Sequence, residues 1–231
     1  MSEVRLVIFD MDGLMFDTER IAIEAWRIAG GQLGYEIPPS MSGETIGLDR
    51  HGTEKLFMER LGPSFPYREA RRLRIEHANR MIETEGVPVK SGLYALLDFL
   101  DGAGVKKAVA TSTERTRAQR LLTLAKIDAR FDAILCGDDV SNGKPCPDIF
   151  LAAARRLDCD PAACMVLEDS QSGLVAAHRA GMLPVLIPDL KRPPKSLNPL
   201  IFMEFASLDQ VQSHLKTAWL RAPEHGAIRL P

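Results

Sequence analysis

No stretch of this chain approaches the ~20 consecutive apolar residues that a membrane helix requires, so no membrane partner is expected. Strong charge of one sign is also missing. Lys and Arg number 29 against 31 Asp and Glu, a formal charge of −2. A balance so close to neutral supplies no general basic field for nucleic acid. Cysteines are few: Cys136, Cys146, Cys159 and Cys164. None forms a CxxC pair, and no histidine stands at zinc-site spacing from them. Cys136 and Cys164 fall in apolar runs, where a thiol serves as a small buried hydrophobe. The five histidines form no HExxH pattern, and Ser112 and Ser170 lack a GxSxG setting. Residues 1–9 show no basic flank followed by a signal-type apolar segment. The expected location is therefore cytoplasmic, where disulfides are uncommon. No internal repeat or low-complexity tract is visible.

What is present begins at the N-terminus. The apolar run of residues 6–9 (Leu6, Val7, Ile8, Phe9) ends in two carboxylates one residue apart, Asp10 and Asp12, followed by Gly13. So short a run, rich in strand formers, predicts a buried strand of a parallel sheet. Ligands in such sheets bind beyond the carboxyl ends of the strands. Side chains two apart in extended chain face the same way, and Gly13 permits a sharp turn. Asp is also common in turns, so the pair alone leaves two readings open: turn residues, or a metal-and-nucleophile pair.

The spacing predicts helix and no strand for residues 17–86. A first helix carries Ile21, Ala25, Ile28 and Ala29 and is ended by the glycines at 30, 31 and 34. Turn-rich residues 38–43 follow, then helices over 53–61 and 68–85. From Val89 onward helix and strand signals alternate. Helices are expected over 93–104, 114–126 (capped by Ser112 or Thr113), 147–158, 170–180 and 208–220. Strands are expected over 107–111, 131–137, 164–167 and 183–187, and a mobile tail from Ala222. This pattern implies an α/β fold with a doubly wound parallel sheet. A single crossover does not use the roughly 70 residues after the first strand. The sequence therefore predicts a core of residues 1–16 and 87–231, with residues 17–86 inserted as an α-helical cap domain.

Three later clusters fall at strand ends of the same sheet: Thr111 and Ser112, Lys144 in a Pro-flanked loop, and Glu168 with Asp169. Each alone fits a bland role, as helix cap, solvated loop charge or helix-start acid. A parallel sheet brings all of its carboxyl ends to one edge. Four carboxylates crowded there require a cation. Lys144, the Ser112 hydroxyl and backbone N–H groups near Thr111 offer anion contacts. A hard oxygen-ligated metal beside an anion site suggests phosphoryl transfer.

The ordered motifs Asp10-Met11-Asp12-Gly13 with Asp17-Thr18-Glu19, Thr111-Ser112, Lys144-Pro145 and Glu168-Asp169 resemble those of the haloacid dehalogenase (HAD) superfamily of hydrolases. The segment from Leu167 to Gly173 is close to the β-phosphoglucomutase-like phosphatase branch with a helical cap. The resemblance implies a Rossmann-like core and a Mg²⁺-dependent phosphoric monoester hydrolase. It implies Asp10 as nucleophile, forming an aspartyl phosphate, and Asp12 as general acid and then base. It implies Thr111 on the transferring phosphoryl group and Lys144 stabilising charge. The Mg²⁺ would be held by Asp10, Asp12 through its carbonyl, Glu168 and Asp169.

The expected substrate is a small phosphorylated metabolite, such as a sugar phosphate. Mutases of this branch carry a histidine four residues after the motif threonine; here that position is Ala22. This favours water as acceptor, with a phosphomutase as the alternative. A dehalogenase would lack Asp12, and a phosphonatase would need a cap lysine that residues 17–54 do not contain. Receiver-like phospho-acceptor domains share the Asp, Thr, Lys and Mg²⁺ but carry no such insertion. Leaving-group contacts are expected from Gly47, Arg50 and Arg80, since an arginine fork suits a second phosphate or carboxylate. The second linker has Ser91 where relatives often place proline, which removes one source of stiffness. A monomer is expected, with a dimer as the alternative.

Overall fold

The computed structural model describes residues 3–46, 48 and 50–230. In chain order the elements are β1 (Glu3–Val4), β2 (Leu6–Phe9), α1 (Thr18–Gln32), α2 (Pro39–Glu44), α3 (Arg50–Leu61), α4 (Tyr67–Glu85), α5 (Leu93–Ala103), β3 (Lys106–Ala110), α6 (Arg115–Leu124), β4 (Ala133–Leu135), α7 (Asp148–Arg156), β5 (Cys164–Glu168), α8 (Gln171–Arg179), β6 (Leu183–Leu186), β7 (Met203–Glu204), α9 (Leu208–Arg221) and β8 (Ile228–Arg229). They divide into two compact units, Met1–Phe16 with Val89–Pro231, and Asp17–Pro88.

The larger unit is built on a six-stranded parallel sheet of order β4-β3-β2-β5-β6-β7. The chain leaves β2 towards β3 and β4, then returns to its other side for β5, β6 and β7. The order therefore reverses at β2, the switch point where doubly wound sheets bind ligands. All four residues of β2 are buried. Leu6 and Ile8 join Ala108, Ala110, Cys164 and Val166 in a core against α7 and α8. The opposite face carries α5 on β3, with α9 packed on α5. Phe9, on the alternate face from Ile8, meets the Phe131 ring edge-on at 5.6 Å.

Two strand pairings and one helix start differ from the sequence expectation. The tail after Ala222 returns as β8, antiparallel to β1, burying Ala227, Ile228 and Leu230. β7 adds a strand beyond β6. Helix α6 starts at Arg115 with Glu114 in the N-cap position, so neither Ser112 nor Thr113 caps it; the Thr113 hydroxyl is committed elsewhere, as described below. The linkers into and out of the smaller unit meet: Phe16 bridges Val89, and the Asp17 N–H donates to the Pro88 carbonyl at 2.8 Å. Ser91, which lacks proline's stiffness, donates instead to the Asp209 carboxylate at 2.6 Å.

Among the described residues the elements of the smaller unit are all helices. Helix α1 packs along α4, and its apolar core is Trp26, Ile37, Phe57, Phe65, Tyr67 and Ala70. The glycines end α1 as expected: it stops at Gln32, before Gly34 at φ +77°, while Gly30 itself lies in the last helical turn. Ile37 fills the place of the missing side chain, 2.7 Å from where a Cβ would stand. Residues 39–44, expected as turn, form the short helix α2 with Pro39 in its first turn. Phe57 is fully buried, with its ring 4.5 Å from Trp26 and 5.7 Å from Phe65. Replacing it with Ala should destabilise this unit by about 3–5 kcal/mol. Urea unfolding monitored by Trp26 emission should show the transition moving to lower denaturant; an unmoved midpoint would contradict this packing.

Candidate active site

Three strands end in the groups that matter. β2 delivers Asp10 and then Asp12. β3 delivers Thr111, β5 ends at Glu168, and Asp169 follows directly. Parallel register sets their depth: Phe9 pairs with Val109 on one side and with Leu167 on the other. Asp10, Thr111, Glu168 and Asp169 therefore fall at nearly one level of the sheet. All four are buried, Glu168 fully.

Lys144 reaches this level from the loop before α7. Its side chain is 3% exposed, and its ammonium donates to Asp10 Oδ1 at 2.5 Å, Glu168 Oε1 at 2.6 Å and the Ala110 carbonyl at 2.9 Å. Those three bonds use every proton an ammonium has. The Phe150 ring lies 4.9 Å away and adds a cation–π contact. Burial works to lower the Lys144 pKa, but the charges of Asp10 and Glu168 overcome it and hold the group firmly protonated. Asp10 is pushed up to about 7, first by burial and then by Glu168, although Lys144 pulls the other way.

Glu168 is tied at its second oxygen. Oε2 accepts from the Ser170 N–H at 3.1 Å and from the Ser170 hydroxyl at 2.8 Å. Ser170 also caps α8, accepting from the Gly173 N–H at 3.1 Å. Gly173 has no tolerance for a side chain, because a Cβ would stand 1.8 Å from Glu168 Oε1. Gly13 plays the same part for Asp169. It turns the chain at φ +85°, and a Cβ there would lie 2.4 Å from Asp169 Oδ2. Two glycines thus open the space that two acids occupy.

Asp10, Glu168 and Asp169 each offer an oxygen within 4.8 Å of the others. Three buried carboxylates beside one ammonium leave excess negative charge in a low-dielectric place. An all-oxygen donor set of this kind fits a hard divalent cation. The Asp12 side chain does not belong to this trio. Its Oδ2 accepts from the Thr113 hydroxyl at 2.7 Å, while the Thr113 N–H donates to Thr111 Oγ1 at 3.1 Å.

The structure therefore brings together Asp10, Lys144, Glu168 and Asp169, with Asp12 and Thr111 linked through Thr113. Ser112 is exposed on the same loop, its carbonyl packed against Gly137. Arg80 is exposed on α4 in the smaller unit. Gly47 and the side chain of Arg50 lie outside the described residues. The sequence offers Ser112 or Thr113 as a helix cap and does not point to Thr113 as the partner of Asp12. Its place two residues beyond Thr111 at the same edge was the available signal. Ser170 and Gly173 were noticed only as part of a motif, not as the clamp on Glu168.

Because Lys144 neutralises two buried acids, Lys144→Met should cost about 3–5 kcal/mol in stability. The double variant Lys144→Met/Glu168→Gln, which removes a stranded charge, should recover part of that loss. Equal stability of the single and double variants in urea unfolding would contradict the pairing.

A family model of haloacid dehalogenase-like hydrolases matches residues 7–187. A phosphorylated carbohydrates phosphatase of Thermotoga maritima is 32% identical over 176 residues, covering 76% of this chain and 81% of that protein. The β-phosphoglucomutase of Bacillus subtilis is 31% identical over 188 residues, covering 79% and 82%. A crystal structure of a candidate β-phosphoglucomutase from Thermotoga maritima superposes with TM-score 0.79 at 28% identity, covering 92% of this chain and 98% of that one. Every strand-end acid described above except Asp10 and Asp12 lies far along the chain from the first motif, yet all fall inside the matched span. The chain therefore belongs to the haloacid dehalogenase-like hydrolase family, in its β-phosphoglucomutase-like branch.

Proposed function

We propose that the protein is a Mg²⁺-dependent phosphatase that hydrolyses a small phosphorylated metabolite, such as a sugar phosphate, through an aspartyl-phosphate intermediate. The observation that carries this reading is the buried Asp10–Lys144–Glu168 contact set beside Asp169. It holds one carboxylate in place while neutralising part of the charge around it. Relatives that are named phosphatases of phosphorylated carbohydrates and of fructose 1-phosphate support the substrate class.

In this reading Asp10, Glu168 and Asp169, with the Asp12 carbonyl, would hold the metal. The chemistry a bound Mg²⁺ would supply there is positive charge against the phosphoryl oxygens and against the Asp10 carboxylate. An Asp10 oxygen attacks phosphorus as the bond to the leaving oxygen breaks, and Asp12 gives that oxygen its proton. Asp12 then takes a proton from water, which attacks the phosphorus and frees Asp10 and phosphate. Lys144 and Thr111 contact the phosphoryl group or orient Asp10, while Thr113 positions the Asp12 carboxyl. Most of the catalysis is positioning and electrostatics, as phosphoryl transfer requires. The part of the cap is assigned to the helical segment 17–86, with Gly47, Arg50 and Arg80 the residues proposed to recognise the leaving group.

A phosphomutase reading has the B. subtilis relative in its favour. Against it stands Ala22 on α1, where such mutases carry histidine. A screen of phosphorylated metabolites with Mg²⁺ should show steady phosphate release, abolished in Asp10→Asn. Asp12→Ala should keep the fold and Mg²⁺ binding yet lose at least ~100-fold in kcat. Interconversion of hexose phosphates with no phosphate release would overturn the phosphatase assignment. Thr113→Val should lower kcat by about tenfold with KM little changed, and Thr113→Ser should restore it; equal kcat in all three proteins would remove Thr113 from the mechanism.

A further inference from the structure

A second group of reactive side chains lies at the other edge of the sheet, where the strands begin. Cys164 is the first residue of β5, and Cys159 stands in the loop before it. Both thiols turn to one carbonyl, that of Asp160: Cys164 Sγ at 3.2 Å and Cys159 Sγ at 3.7 Å. Sharing that one acceptor brings the two sulfurs to the same small region before β5. Cys164 is fully buried, whereas Cys159 is half-buried and lines a cavity of about 470 Å³. Arg5 and Lys106 line the same cavity, as do Glu3, Asp158 and Asp160. Nothing in the phosphoryl-transfer site uses these residues.

We propose that Cys159 and Cys164 form a reversible thiol–disulfide pair, with Cys159 the thiol that hydroperoxides attack and Cys164 the thiol that resolves it. The Cys159 thiolate attacks one oxygen of hydrogen peroxide, the O–O bond breaks, and hydroxide leaves, giving a sulfenic acid on Cys159. The Cys164 sulfur then attacks that Cys159 sulfur. The S–O bond breaks, the Cys164 proton leaves with the hydroxyl as water, and the disulfide remains. Cysteine is oxidised and peroxide reduced, two electrons in all. A disulfide of about 2.05 Å requires the two sulfurs, now both held on the Asp160 carbonyl, to turn towards each other instead.

The surroundings assign the two roles. The Cys164 contact, then Lys106 and Arg5, lower the Cys159 pKa against burial and Asp160. Partial exposure beside cations marks a reactive cysteine, and a neighbouring thiol diverts the sulfenic acid from further oxidation. Cys136 is a built-in contrast: it is buried, and that burial pushes its thiol up.

The test uses the whole protein, hydrogen peroxide in slight molar excess, iodoacetamide to block remaining thiols, and tryptic mapping. Arg156 and Arg179 flank both cysteines, so residues 157–179 form one peptide. That peptide should appear unalkylated, about 2 Da lighter than its dithiol form, and revert with dithiothreitol. Cys159 should react about tenfold or more faster than Cys136. In Cys164→Ala, dimedone should trap a sulfenic acid on Cys159; in Cys159→Ser, no such peptide oxidation should occur at the same dose. Faster oxidation of Cys136 or Cys146, or direct passage of Cys159 to sulfinic acid without the lighter peptide, would overturn the proposal. Cys159→Ser alone is sufficient to decide if the Cys164 variant does not fold.

Discussion

The buried ammonium of Lys144 is the contact on which the functional end of this molecule depends. Two carboxylates from different strands, Asp10 and Glu168, could not share so dry a place without a cation between them. A lysine on a loop supplies it, and the Ala110 carbonyl takes its third proton. The arrangement ties the ends of β2, β3 and β5 to the segment preceding α7. It also keeps Asp10 within reach of a second cation rather than satisfied by the first, since one positive charge stands against three acids.

The same economy of space appears in the glycines. Gly13 and Gly173 are distant in sequence, yet each leaves a void that a carboxylate fills. Their absence of side chain is as much part of the acid cluster as the acids are. The cap of α8 works in the same direction, because the Ser170 hydroxyl serves the helix N-terminus and Glu168 at once.

Much of this was legible in the chain itself. The run from Leu6 to Asp12 reads as a buried strand ending in acids because a parallel strand needs apolar residues on both faces. Lys144, Glu168 and Asp169 could be placed at one edge because parallel topology leaves them no other. What escaped was set by partners far away in sequence. The tail after Ala222 is ordered by pairing with Glu3 and Val4, a contact across nearly the whole chain. Thr113 looked like a helix cap because local rules favour that use, and only the fold puts Asp12 beside it.

The meeting of the two linkers has a consequence for how such a protein can change. Asp17 and Pro88 are hydrogen-bonded neighbours, and Phe16 bridges Val89. From the side of the sheet, the whole helical unit is a loop whose two ends are already joined. The entropy of closing a loop rises only with the logarithm of its length. The length of what hangs between those residues therefore costs the larger unit little closure entropy. Helices there can be lengthened, exchanged or redrawn while Asp10, Lys144 and Glu168 keep their places.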